Sequence, residues 1–98
     1  MQFNEIIHRA KQIREKYAAL EKKRDGKEWT REQILQGFLG DVEDLKIILT
    51  SENIDDTKLV HELSDCLWSI IILADKYNID LEASFMKTMD ELDNRIGK

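Results

Sequence analysis

Between Leu59 and Ala74 a helix would be apolar in nearly every direction, because Leu59, Val60, Leu63, Cys66, Leu67, Trp68, Ile70, Ile71, Ile72, Leu73 and Ala74 leave few polar positions. A helix apolar all round belongs in an interior. A chain of 98 residues, in the size range where folding hides somewhat under about 70% of the unfolded surface, has little material with which to bury it. The expectation is one all-α domain over residues 1–98 that finishes its core by self-association. With about 100° per residue, Ile71 lies about 180° and Trp68 about 120° from Glu62, and these two are expected on the side that another copy covers. One polar seam interrupts the apolar surface: Lys58, Glu62, Asp65, Ser69 and Lys76, spaced four, three, four and seven. Carboxylates on a buried helix are costly unless they are paired or bind metal.

The rest of the chain reads as three further helices. Phe3, Ile6, Ala10, Ile13, Tyr17 and Leu20 recur at spacings of three and four, a helical stripe. Asp25-Gly26 ends that helix near Arg24. Thr30-Arg31-Glu32-Gln33 has the form of a capping box and opens a second helix from Arg31 to about Leu49. Asp55 or Asp56 caps the apolar third helix, which runs to about Tyr77. Asn78 suits the left-handed end position, and Asp80 caps a fourth helix from Leu81 to about Ile96. The fourth carries Leu81, Phe85, Met89, Leu92 and Ile96 on one stripe. The expected fold class is an all-α bundle of four helices completed by homo-oligomerisation.

The second helix bears a polar pair of its own. Its apolar arc, Ile34, Leu45, Phe38, Leu49, Val42, Leu35 and Leu39, spans roughly 20° to 160° from Asp41, and Asp44 lies about 60° to the other side. Gly37 and Gly40 neighbour Asp44. Each mid-helix glycine costs about 1 kcal/mol relative to alanine, so a second body is expected close to this backbone, either a helix or a ligand. If the two seams face each other, Asp41, Asp44, Glu62 and Asp65 form a cluster whose charges repel and raise one another's pKa values. Mg²⁺ relieves such repulsion, since it takes carboxylate and water oxygens and is commonly completed by substrate phosphates. The plainer reading of each pair is a solvated helix face.

Composition closes off other classes. Fifteen Lys plus Arg against 20 Asp plus Glu give a net charge of −5, which disfavours a nucleic-acid polymer as partner. A single cysteine forms no intrachain disulfide, and Cys66 reads as a small core residue. The start, MQFNEIIHRAK, places charges where a signal peptide needs an apolar centre. The longest nearly apolar run, nine residues from Cys66 to Ala74, falls short of the roughly 20 that cross a bilayer. A cytoplasmic protein with no membrane partner is expected. Glu5 and His8 have the E-x-x-H spacing of di-iron bundles, but one such motif is half of what those sites need. His61 faces about 100° from Glu62 and is expected at the surface or an interface.

The acidic motifs resemble those of the MazG-like nucleotide pyrophosphohydrolases, an all-α nucleoside triphosphate pyrophosphatase superfamily. Their mark is a pair of acidic residues three apart, followed on the next helix by E-x-x-D. Gly40-Asp41-Val42-Glu43-Asp44-Leu45 is similar to the first element and His61-Glu62-Leu63-Ser64-Asp65-Cys66-Leu67-Trp68 to the second, with 17 residues between Asp44 and Glu62. The likeness takes in Gly26-Lys27-Glu28-Trp29-Thr30 and Phe85 to Leu92, and covers roughly residues 17–96. Gly40 and Asp41 stand where the commoner pattern has two glutamates. Glu43 replaces a glycine of a closer branch, and Leu92 stands where many members have asparagine.

The resemblance implies hydrolysis of a (d)NTP substrate to the (d)NMP and pyrophosphate, with Mg²⁺ as cofactor (Mn²⁺ a possible substitute), a homodimer or homotetramer, and a nucleotide-pool housekeeping role. On this reading Asp41, Asp44, Glu62 and Asp65 are metal ligands, and Glu62 doubles as the catalytic base. Lys58, one turn before Glu62, is a candidate phosphate contact or a structural partner of Glu62. Trp29 is a candidate stacking surface for the base, or a hydrophobic plug at the helix entry. Trp68 is expected in the core or a subunit interface. The alternative is a helical homo-oligomeric interaction module that has lost catalysis.

Overall fold

The computed structural model describes residues 1–97. It is all-helical, with α1 Phe3–Asp25, α2 Arg31–Leu49, α3 Asp56–Lys76 and α4 Leu81–Ile96, and no strand among the described residues. None of these helices is long and apolar enough to cross a membrane.

The boundaries follow from local chemistry. Gly26 adopts φ 84° and closes α1 with its N–H on the Lys22 carbonyl, a left-handed end that glycine takes without a Cβ penalty. At the head of α2 the Thr30 hydroxyl accepts the Gln33 N–H at 3.2 Å, while Gln33 Oε1 accepts the Thr30 N–H at 2.9 Å. The expected capping box is therefore complete. Asp55 accepts the Thr57 and Lys58 N–H groups at the start of α3, and Asp80 accepts the Ala83 N–H at the start of α4. Asn78, at φ 57°, makes the left-handed turn between them.

The helices pack unequally. The α2–α3 pair forms the main interface, and α1 lies on α3. The core is Ala10, Ile34, Ile71 and Ile72, with Ile6, Ile7, Trp29, Trp68, Leu73 and Leu81 packed around it. Trp68 Nε1–H donates to the Ala10 carbonyl at 3.0 Å, tying α3 to α1. This corrects the expectation that another copy covers Ile71 and Trp68: Ile71 is only 3% exposed within this chain, and Trp68 takes the core place that was the other reading of it. Around Ile71 and Ala74 the cylinder of α3 is surrounded by α1, α2 and the approach to α4, where the Ile79 N–H reaches the Ala74 carbonyl at 2.9 Å. Nearer its N-terminus α3 has fewer neighbours. The uncovered stripe is Val60, Leu63, Leu67 and Ile70, between 41% and 64% exposed.

The other helices repeat this half-finished burial. On α2 the interior side is Ile34, Phe38, Asp41 and Leu45, while Leu35, Leu39, Val42 and Leu49, the far half of the expected arc, are exposed. On α1 the buried line is Ala10, Arg14, Ala18 and Glu21, and Tyr17 and Leu20 of the expected stripe are exposed. No residue of α4 is buried, and Phe85, Met86, Met89, Leu92 and Ile96 are open. The radius of gyration is 16.1 Å, against about 13 Å for a self-contained 100-residue domain.

Candidate functional site

The carboxylates expected to face each other across α2 and α3 do so. Ser69 Oγ donates to Asp41 Oδ2 at 3.4 Å, which ties the α3 seam to the α2 pair. One ligand atom each from Asp41, Asp44 and Glu62 lie within 4.8 Å of one another, and a second trio of His61, Glu62 and Asp65 meets the same limit. Glu62 belongs to both. Asp65 is drawn towards His61, whose Nε2 lies 3.1 Å from Asp65 Oδ2. The four acids thus form two overlapping trios hinged on Glu62, and His61, although exposed, belongs to the site.

The electrostatics are those of an unneutralised cluster. Burial raises the Asp41 pKa above its ordinary 3.8, Asp65 and Asp44 push it further, and the Ser69 hydroxyl opposes them. Glu62 is likewise raised above 4.5, first by desolvation and then by Asp44 and Asp65. Among the described residues no Lys or Arg forms an ion pair with Asp41, Asp44 or Glu62. Glu62 Oε2 is sealed from solvent without a hydrogen-bond partner. A sealed acceptor without a donor is costly, and a cation held by these oxygens would remove the cost. The donor set, oxygen from three or four carboxylates, suits Mg²⁺ or Mn²⁺.

Beside the acids opens a cleft of about 460 Å³, whose lining includes Tyr17, Trp29 and Trp68 as well as Asp41, His61 and Asp65. The Tyr17 and Trp68 rings meet at 5.7 Å with a 48° tilt. Trp29 is partly buried, packs against the core as the plug reading expected, and also walls the cleft. Its ring lies along Gly37, where an added Cβ would come within 3.3 Å of Trp29 Cζ3. The close approach expected of a helix or a ligand at both glycines is thus made at Gly37 alone, by an indole of the α1–α2 connection, and nothing lies within 4 Å of a Cβ at Gly40. Lys58 is exposed on the first turn of α3, forms no ion pair with Glu62 among the described residues, and does not line the cleft.

The sequence reading missed Arg14 and Glu21. They form a buried ion pair, Glu21 Oε1 also accepts the Trp29 N–H at 2.8 Å, and the Arg14 guanidinium lies 5.7 Å from the Trp29 ring centroid. A signal was present: Arg14, Ala18 and Glu21 continue the line of Ala10 at helical spacing. Cys66 is buried, and burial pushes its thiol up from 9.0, away from nucleophilic use. Glu5 and His8 sit on the exposed side of α1.

Comparison with known proteins gives no significant match to a family model, a curated protein or a solved structure.

Proposed function

We propose that the chain is a Mg²⁺-dependent nucleoside triphosphate pyrophosphohydrolase, with Mn²⁺ able to substitute, acting as a homodimer or homotetramer on the nucleotide pool of the cytoplasm. The observation that carries this reading is the convergence of Asp41, Asp44 and Glu62 within 4.8 Å without a cationic partner, beside an aromatic cleft that Asp41 and Asp65 also line. The resemblance of the two acidic motifs to MazG-like enzymes supports the same assignment.

Asp41, Asp44, Glu62 and Asp65 would hold the metal. When bound, the cation supplies charge neutralisation and Lewis acidity at the phosphates. Glu62 belongs to both trios and would be the group that takes the proton of the attacking water. Ser69 holds Asp41 in place through its hydroxyl. With the phosphates at the acids, the base is directed into the cleft against Trp29, Tyr17 and Trp68, where stacking contributes about 1–3 kcal/mol per base. Lys58 stays a candidate phosphate contact only if its side chain swings towards the seam when substrate binds.

The uncovered stripes on α2, α3 and α4 favour a second copy as partner. They would equally serve a helical interaction module without catalysis, and hydrolysis separates the two. Incubating the protein with a panel of ribo- and deoxyribonucleoside triphosphates should release pyrophosphate and the monophosphate only when Mg²⁺ is present. Absence of turnover across the panel, with the protein folded and oligomeric, would leave the interaction module.

A further inference from the structure

The buried Arg14–Glu21 pair contributes little to stability by itself, because desolvating two charges offsets much of their attraction and apolar replacements commonly do as well. Its geometry suggests another use. Glu21 is 4% exposed and Arg14 8% exposed, and one oxygen, Glu21 Oε1, serves both the guanidinium and the Trp29 N–H. Trp29 lies in the connection between α1 and α2, where Lys27 and Glu28 make no main-chain hydrogen bond among the described residues. Glu21 therefore supplies the hydrogen bond that ties the main chain of this stretch to α1, beside the packing of the Trp29 ring on the core. Arg14 sits near one part of the indole, and the bare backbone of Gly37 lets the ring lie along α2.

We propose that Glu21 is a positioning residue: through the Trp29 main-chain N–H it fixes the indole as the wall of the cleft against which a planar aromatic ligand stacks. The identity of that ligand as the base of a nucleoside triphosphate rests on the function proposed above, whereas the clamp on Trp29 does not. Glu21 lines the same cleft as Trp29 and belongs to neither acidic trio, so it should govern ligand affinity and leave the hydrolytic step alone.

Two measurements test this. Amide hydrogen exchange of the unmodified protein should show the Trp29 N–H protected like the amides inside α1, although it lies in a connection. Exchange at the rate of an open loop would overturn the proposal. Separately, Glu21→Ala should raise KM for the preferred triphosphate about tenfold with kcat within about twofold, while Glu21→Gln, which keeps a carbonyl acceptor for the N–H, holds KM within about threefold of the unmodified protein. In 5-fluorotryptophan-labelled protein, the Trp29 fluorine signal should gain a solvent-isotope shift in Glu21→Ala and not in Glu21→Gln. An unchanged Trp29 signal in Glu21→Ala, or equal perturbation by both variants, would show that the pair does not act through this hydrogen bond. If the unmodified protein turns over no triphosphate, the exchange and fluorine results still decide the clamp, and only the nucleotide reading falls.

Discussion

If the chain self-associates as proposed, replacing Leu67 by aspartate should split the oligomer while leaving each copy folded. Leu67 is 46% exposed and occupies the middle of the uncovered α3 stripe, beside Leu63 at 50%. Complete burial of such a side chain is worth about 1.5–3 kcal/mol, so covering the remaining half contributes about 0.7–1.5 kcal/mol. A twofold interface uses the residue on both copies, which doubles the loss to about 1.5–3 kcal/mol, before the cost of desolvating two carboxylates. The dissociation constant should rise at least about tenfold to a hundredfold. Sedimentation across a concentration series reads this directly, with far-ultraviolet circular dichroism to verify the helices. Ile71→Asp is the contrasting variant: it places a charge where 3% of the side chain is exposed, so it should unfold the protomer instead of dissociating it. An unmodified protein that sediments as a monomer at low micromolar concentration, or a Leu67→Asp protein that associates as before, would refute the assignment of this stripe to self-association.

Asp41→Asn should abolish metal-dependent turnover yet preserve or raise the melting temperature of the metal-free protein, because it removes a half-buried charge raised by burial and by Asp65 and leaves an oxygen to accept from Ser69. Glu43→Gln is the control, since Glu43 is exposed and no part of the cluster, and calorimetry with a turnover assay should find it silent. The raised pKa values of Asp41 and Glu62 set the sign of the pH dependence: the folded metal-free protein binds these protons more readily than the unfolded chain, so their cost is full above the raised values and fades as pH falls towards 3.8 and 4.5. Melting temperatures of the unmodified protein and Asp41→Asn/Glu62→Gln should therefore converge as pH is lowered from neutrality, and added Mg²⁺ should close the gap at neutral pH from the other side. Gly40→Ala should stabilise the protein by up to about 1 kcal/mol, as nothing lies within 4 Å of the added Cβ; a loss of stability in urea titration would mean that the assembly occupies this face.

What the sequence made legible was whatever is decided locally. Helix ends depend on residues three or four apart, so Thr30 with Gln33, Asn78 and Asp80 could be assigned before any packing was considered, and the cap of α3 narrowed to Asp55 or Asp56. That each acidic pair shares one face of its own helix was also readable, whereas periodicity left open whether the two faces meet or lie in solvent, and the packing of α2 on α3 brings them together. Coverage was not. A helical projection treats α3 as uniform along its length, while in the fold its end from Ile71 to Lys76 carries no exposed residue and the stretch before it, as far as Ile70, is open on one side. That is why the free face proved to be Val60, Leu63, Leu67 and Ile70 and not Ile71 with Trp68. The Arg14–Glu21 pair escaped for a related reason: two charged residues on a helix read as solvated until a third element, the Trp29 connection, closes over them. Gly37 signalled a close approach, but not that the approaching body was the indole of Trp29.

The most direct test of the account follows one preferred triphosphate by phosphorus NMR, with Mg²⁺ and then with the metal chelated, for the unmodified protein and Asp41→Asn side by side. The expected result is cleavage between the α and β phosphates, seen as pyrophosphate and monophosphate signals that grow only with the unmodified protein and only with Mg²⁺. Release of inorganic phosphate with a diphosphate, turnover that persists after chelation, or equal turnover by Asp41→Asn would contradict it.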